Sequence, residues 1–313
     1  MATEGDLISA IAAIFANPRP DIRLGIGDDG AVIRVAAQNQ IAVADMAVEG
    51  THFRRDWSGL FDIGAKVAAA NFADIYAMGG VPSYILVTAA LPHNISVAEV
   101  RELAQGIRSE CDLVGAVAIG GDLSRSANIV LSITAIGTSA LPITRSGAQV
   151  GDQIIISDLP GWSAAGLSLL QSGSSLTSPP ALRARESHRK PVVRYDKARS
   201  MAEAGIHSLI DVSDGLVSEL GHLSKSSAIK FRIESKLLEA IPEFQQLAAL
   251  ALQLEIDVWE WILGGGEDHA FLGTKKVETQ LPDGVWVIGS TTSGQGVEIE
   301  GTSLPQSGFH HFT

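Results

Sequence analysis

The stretch that most constrains this chain is Leu24 to Phe53, LGIGDDGAVIRVAAQNQIAVADMAVEGTHF. It sets two adjacent carboxylates, Asp28 and Asp29, on a glycine turn, continues as a short β-branched strand, and returns along a second strand that ends in Asp45. Two unit charges about 4 Å apart repel by roughly 4 kcal/mol at an effective dielectric near 20. Three carboxylates at one edge of a hairpin therefore ask for cations between them, unless the turn is a solvated acidic one capped by glycine.

Gly25-Ile26-Gly27-Asp28-Asp29-Gly30 also matches the G-x-G-x-x-G spacing of dinucleotide-binding folds. That motif requires a helix after the glycines, whereas AVIRV reads as a strand, and two aspartates would face the pyrophosphate. The Rossmann reading is rejected. A phosphate bound here must be bound through metal ions.

The chain has 313 residues, 46% of them hydrophobic and 19% charged, which suits a folded protein of two ordinary domains. A formal charge of -12 argues against a nucleic-acid surface and is compatible with a site that concentrates divalent cations. The single cysteine, Cys111, excludes an internal disulfide and lies in an apolar setting that suits packing rather than reactivity. MATEGDL lacks the basic and apolar blocks of a signal peptide, and the uncharged window from Ile75 to Ala98 is interrupted by Gly79, Gly80, Pro82, Pro92 and Asn94. A cytoplasmic protein with no membrane span is expected.

Residues 6–16 have helical apolar spacing. Beyond the hairpin, Asp62 is expected to cap a helix through IGAKVAAANFADIYAMGG, which sets Lys66, Ala70, Asn71 and Asp74 on one face. SYILVTAAL reads as a strand and VAEVRELAQGIRSEC as a helix; AVAIGGDLSRS then runs a strand into glycines and delivers Asp122 at its end. After the strand NIVLSITAIG, the polar segment TRSGAQVGD marks the domain boundary, giving domains 1–145 and 146–313. In the second half, DQIIIS is a strand, a helix starts near Ser163, and SGSSLTSPP is a loop, after which HRKPVVRYDKARSMAEAG ends in a helix. LIDVSDGL brings Asp211 to a strand end, with Ser213 and Asp214 on the turn and Gly215 opening a helix whose N-terminus suits an anion. WEWILGGGEDHAFLGT places three glycines before Glu267 and Asp268. The alternation of strands and helices in both halves gives a mixed α/β (α+β) class.

No Walker A loop, zinc-binding helix or cysteine cluster is present, and oxygen donors favour magnesium or manganese. Asp28, Asp29, Asp45, Asp74, Asp122, Asp211 and Asp214 come from separate segments at turns, strand ends or a small-residue helix face. Several Mg²⁺ ions bridging carboxylates and phosphate oxygens, with Arg125 and Arg145 adding contacts, is the chemistry that suits such a set.

GIGDDGAVI, ADMAVEGTHF, IGAKVAAANFADIYAMGGVP, GGDLSRS, TRSGAQVGD, LIDVSDGL, GGGEDHAFL and GFHHF together resemble the successive motifs of the thiamine-monophosphate kinases, from about Leu24 to Phe312. That family belongs with aminoimidazole ribonucleotide synthetase and selenophosphate synthetase. The resemblance implies a two-domain aminoimidazole ribonucleotide synthetase-like fold, whose N-terminal domain forms a barrel across a homodimer and whose C-terminal domain is α/β. It implies ATP-dependent, in-line phosphorylation of thiamine monophosphate to thiamine diphosphate with several Mg²⁺ ions. Carried over by position, Asp29, Asp45, Asp74, Asp122, Asp211 and Asp214 bind metal, and Asp45, Asp122 and Asp214 carry the transfer. Gly121, Asp122, Arg145 and Ser213 would contact ATP, and His52, Glu267 and Phe309 the thiamine substrate.

The sequence departs from the usual family pattern in three places. Ala44 stands before Asp45 where a hydroxyl residue is usual, Leu123 follows Asp122 where Thr is usual, and Glu267-Asp268-His269-Ala270-Phe271 stands for Glu-Asp-Tyr-Glu-Leu. Two other readings are a superfamily enzyme of the ligase or synthetase type and a weakly catalytic nucleotide-binding protein. Retention of six candidate metal ligands argues against a scaffold, because a charge cluster is costly to bury.

Overall fold

The two strands of the hairpin pair as the sequence suggests, but the second, expected to end in Asp45, runs on to Val48, so Asp45 lies within it. In the computed structural model, which describes residues 22–24, 31–35 and 38–301, β2 (Ala31–Val35) pairs antiparallel with β3 (Gln38–Val48), Val35 opposite Gln38 and Ala31 opposite Ala42. With β1 (Ile22–Leu24), β4 (Val81–Leu91), β5 (Val117–Arg125) and β6 (Val130–Ser139), they make a six-stranded sheet of order β1-β2-β3-β6-β4-β5. The helix expected at 6–16 lies outside the described residues.

Alternation decides which face of this sheet is covered. Ile41 and Val43 of β3 and Leu131, Ile133 and Ala135 of β6 are buried under α1 (Leu60–Ala77), which packs against α2 (Val97–Val114). The two helices cross closely because each presents a glycine: a Cβ on Gly106 would lie 1.9 Å from the Phe61 carbonyl oxygen, and one on Gly64 would lie 2.2 Å from that of Leu103. The α2 N-terminus is held by a capping box, with Glu99 N–H donating to Ser96 Oγ at 3.2 Å and Ser96 N–H to Glu99 Oε2 at 2.8 Å. At α1 the expected cap is corrected: the helix starts three residues earlier, after Gly59, and Asp62 sits inside its first turn, where its charge faces the positive helix end.

The second sheet has the order β12-β9-β11-β7-β10-β8. Its strands are β7 (Gln153–Ile156), β8 (Ser208–Asp211), β9 (Lys230–Glu234), β10 (Phe271–Lys275), β11 (Trp286–Thr292) and β12 (Gly296–Glu300). The central strands read as unbroken apolar runs because both faces are covered. Ile154, Ile156, Ile210 and Leu272 pack under α3 (Trp162–Gln171), α4 (Pro179–Arg189), α6 (Leu216–Ser227), α8 (Phe244–Gln253) and α9 (Val258–Gly264). Ile155, Leu209 and Phe271 point the other way and join the core of the first half, together with Tyr195, Ala198 and Met201 of α5 (Tyr195–Glu203). Tyr195 stacks on Tyr76 of α1 with ring centroids 4.9 Å apart. One apolar core thus runs across both halves, each fully buried large side chain contributing about 1.5–3 kcal/mol, and this seam sets α1 against β8.

Two local readings need correction. The loop expected through Pro180 is already helical from Pro179, since proline in a first turn gives up no helical hydrogen bond. The strand expected to end at Gly120-Gly121-Asp122 continues to Arg125, so Asp122 lies within β5. Gly121 permits this: a Cβ there would lie 1.8 Å from the Val87 carbonyl oxygen of β4.

Candidate active site

Where α1 meets β3 and the end of β8, acidic groups converge. Asn71 and Asp74 stand one turn apart on α1; Asn71 Oδ1 accepts the Asp45 N–H at 3.2 Å, and the carboxyl groups of Asp45 and Asp74 lie close enough to act on each other. Burial, then the charges of Asp45 and Asp211, raise the Asp74 pKa well above the ordinary range, and burial with Asp211 also raises that of Asp45. Asp211 is itself buried and meets His269 Nδ1 at 2.8 Å. That contact and the Asp211 charge raise the His269 pKa against the opposing pull of burial, which taken alone is the largest effect.

Behind Asp211, the first turn of α6 adds Glu219, only 2% exposed. Its Oε1 accepts the Asp214 N–H at 3.3 Å and the Ser213 hydroxyl at 3.4 Å. Burial, then Asp211 and Asp214, push its pKa up to about 8, while Arg145 pulls it down. Among the described residues no three histidine, cysteine or acidic side chains converge as a metal cage. The carboxyl oxygens of Asp45, Asp74 and Glu219 gathered here are nevertheless hard donors, and burial with neighbouring negative charge raises the pKa of each. This set fits a hard divalent cation such as Mg²⁺.

The Ser213-Asp214 turn is tied to the glycine loop that follows α9. Glu267 N–H donates to Ser213 O at 2.7 Å and His269 N–H to Val212 O at 3.0 Å. A Cβ on Gly266 would lie 2.1 Å from Ser213 O, so glycine is what allows the approach. Glu267 (φ 65°) and His269 (φ 51°) are both left-handed non-glycine residues, a costly conformation that such ties sustain. Between them, Asp268 caps α3, accepting from Gly161 N at 2.7 Å and Ser163 N at 2.9 Å; burial raises its pKa to about 6 despite these bonds. Ala270 is buried in the second core, so this departure lies in packed apolar surroundings.

Glu267 looks across the seam. Its Oε2 is 2.9 Å from Lys66 Nζ of α1 and 3.6 Å from His188 Nδ1 of α4. Burial, which would raise its pKa, is outweighed by Lys66 and His188, and the net shift is downward. His188 is pushed down to about 4 by burial and by Lys66, and so is neutral at physiological pH. His52 Nδ1 accepts the Val48 N–H at 3.0 Å, which in the neutral ring puts the hydrogen on Nε2.

Of the residues singled out in the sequence, Asp45, Asp74, Asp211, Ser213 and Asp214 are brought together, with Arg145 near enough to act on Glu219. Asp122 is placed differently. Asp45, Ile133, Val87 and Gly121 form one cross-strand row; Met46, Ser132, Thr88 and Asp122 form the next, which faces the opposite side of the sheet. Asp28, Asp29 and Phe309 lie outside the described residues. Sequence reasoning missed Glu219, whose one local signal is a carboxylate in the first turn after the Ser-Asp-Gly turn, and His188, which carries none.

Acidic side chains at the seam of two mixed α/β halves define an enzyme of the aminoimidazole ribonucleotide synthetase class, and the family model "AIR synthase related protein, N-terminal domain" matches residues 27–139. Among curated relatives, thiamine-monophosphate kinase of Corynebacterium glutamicum is 36% identical over 272 residues, 85% of this chain and 81% of that one. That of Aquifex aeolicus is 30% identical over 288 residues, 92% of each chain. The chain belongs to the thiamine-monophosphate kinase family and is a phosphotransferase. Its fold matches that of AaThiL complexed with AMPPCP and TMP at a TM-score of 0.91, with 29% identity over 99% of this chain and 97% of that one.

Proposed function

We propose that this enzyme transfers the terminal phosphoryl group of ATP in line to thiamine monophosphate, giving thiamine diphosphate, with Mg²⁺ as the metal. The observation that carries this reading is the convergence of Asp45, Asp74, Asp211 and Glu219, where burial and mutual negative charge raise the pKa of Asp45, Asp74 and Glu219 and so ask for positive charge. Asp28, Asp29, Asp45, Asp74, Asp122, Asp211 and Asp214 would hold Mg²⁺. When bound, the metal supplies neutralisation of charge on the transferred phosphoryl oxygens.

The protein's own groups divide the rest of the task. Gly121, Asp122, Arg145 and Ser213 are assigned to ATP, and Asp45, Asp122 and Asp214 to the transfer. His52, Glu267 and Phe309 are assigned to the thiamine moiety, whose thiazolium is cationic and suits a carboxylate. Main-chain ties between the Ser213-Asp214 turn and the Glu267 loop hold the two groups of residues in register without relying on side chains.

The reading includes a homodimer, with the domain boundary after Arg145. The uncovered side of the first sheet supports this: Met46, Tyr84 and Leu86 are exposed there, and so is Val117 of the edge strand β5, opposite Tyr84. Closure of this face by a second copy would also enclose Asp122. Cytoplasm suits a nucleotide-using enzyme whose single cysteine, Cys111, is free and buried. No described helix is long and apolar enough to cross a membrane.

Ligand-induced melting shifts test the substrate assignment. In Mg²⁺ with a non-hydrolysable ATP analogue, thiamine monophosphate at 100 times its Kd should add about 2.7 kcal/mol of stability and raise the melting temperature by several degrees. In EDTA the analogue itself should bind far more weakly. Equal nucleotide affinity with and without Mg²⁺, or no shift at millimolar thiamine monophosphate, would contradict the reading.

A further inference from the structure

Lys66 lies two turns before Asp74 on α1, and its side chain reaches across the seam to the second half. The ammonium donates to Glu267 Oε2 at 2.9 Å, to the His188 carbonyl at 3.0 Å and to the His52 carbonyl at 3.5 Å. Three acceptors match its three hydrogens, and the residue is 8% exposed. A bridge serving only to join the halves would be replaceable by apolar packing at no loss, and the Tyr76-Tyr195 stack already joins them in that way.

The distribution of contacts on Glu267 points to a more specific role. Both Lys66 and His188 engage Oε2, while Oε1 takes part in no hydrogen bond or ion pair among the described residues and 35% of the side chain's surface stays exposed. His188 is fixed in turn by Ser163 Oγ at 3.2 Å and by the ring of Trp57, centroids 6.2 Å apart. The carboxylate is therefore gripped by one oxygen and presented by the other, on a backbone held in a left-handed conformation.

We propose that Lys66 is a positioning residue for the acceptor substrate: by holding Glu267 Oε2 and the His188 carbonyl from the opposite half, it aims Glu267 Oε1 at a cationic or amino group of the acceptor. This rests on the assignment of thiamine monophosphate as acceptor. Lys66 sets the affinity for that substrate and leaves nucleotide affinity alone, since two of its three partners, His52 and Glu267, are assigned to the acceptor and none belongs to the acid cluster.

Steady-state kinetics of Lys66→Met, Lys66→Arg, Glu267→Gln and the Lys66→Met/Glu267→Gln double variant test it, with melting temperatures measured alongside. Lys66→Met should raise the KM for thiamine monophosphate by about tenfold or more and change the KM for ATP by less than about twofold. The double variant should be little worse than either single one, because both remove the same presented oxygen. Lys66→Arg keeps the charge but cannot meet three convergent acceptors with a planar group, so a smaller rise confined to the acceptor KM is expected. If Lys66→Met fails to fold, Lys66→Arg decides by the same criterion. Parallel rises in both KM values, an unchanged acceptor KM, or additive losses in the double variant would overturn the proposal. A wild-type enzyme that neither binds nor phosphorylates thiamine monophosphate would overturn the acceptor assignment with it, and is recognised before any variant is made.

Discussion

Asp74→Asn is expected to raise the melting temperature of the metal-free protein by a few degrees while lowering turnover by about a hundredfold or more. Burial, then the charges of Asp45 and Asp211, raise the Asp74 pKa well above its ordinary value, so an ionised carboxylate is costly there. An amide of the same shape never ionises, so the folded state loses a repulsion on the order of 1–3 kcal/mol. The same change removes a candidate metal oxygen at the centre of the acid cluster. Calorimetry in EDTA and kcat in Mg²⁺ separate the two effects. A variant that melts lower yet turns over normally would place Asp74 in the scaffold and outside the site.

The second large effect is an inverse dependence of metal-free stability on pH. Glu219 has its folded pKa raised to about 8 from an ordinary 4.5. A group raised in this way contributes stability that is fully present below the unfolded value and is lost as pH rises through the folded one. Asp74, raised well above its ordinary value, and His269, raised above 6.5, act in the same direction. His188, lowered to about 4, acts oppositely, but it is neutral in both states once the pH exceeds 6.5. Between pH 6.5 and 8 the protein in EDTA should therefore lose roughly 2 kcal/mol for each proton that the folded state holds and unfolding releases, and its melting temperature should fall. Mg²⁺ competes with those protons, so its stabilising effect should be greater at pH 8 than at pH 6.5. Glu219→Gln should flatten the EDTA profile. A melting temperature that rises with pH in EDTA would contradict the assigned shifts.

What was legible in the sequence is what local chemistry dictates. The β2–β3 hairpin, the capping box of α2 and the glycine after Asp214 each follow from residues within a few positions of one another. The motif series also identified the family, because its order spans most of the chain. What escaped depends on contacts between remote segments. Lys66 reaches Glu267 across 201 positions, which no helical periodicity encodes; on α1 its spacing from Asp74 suggested only a shared face. The run of small residues through Gly120 and Gly121 read as a turn, yet glycine equally allows the close strand approach that carries β5 past Asp122 to Arg125. Asp122 thereby falls in the row facing away from Asp45, an outcome of register that the strand's own sequence leaves open.

Incubation of the protein with ATP, Mg²⁺ and thiamine monophosphate, followed by separation of thiamine diphosphate, ADP and inorganic phosphate, tests the central claim most directly. Thiamine diphosphate and ADP should form in equal amounts, only with the metal present, and with little free phosphate. ADP and inorganic phosphate without thiamine diphosphate, or no consumption of ATP at all, would contradict it.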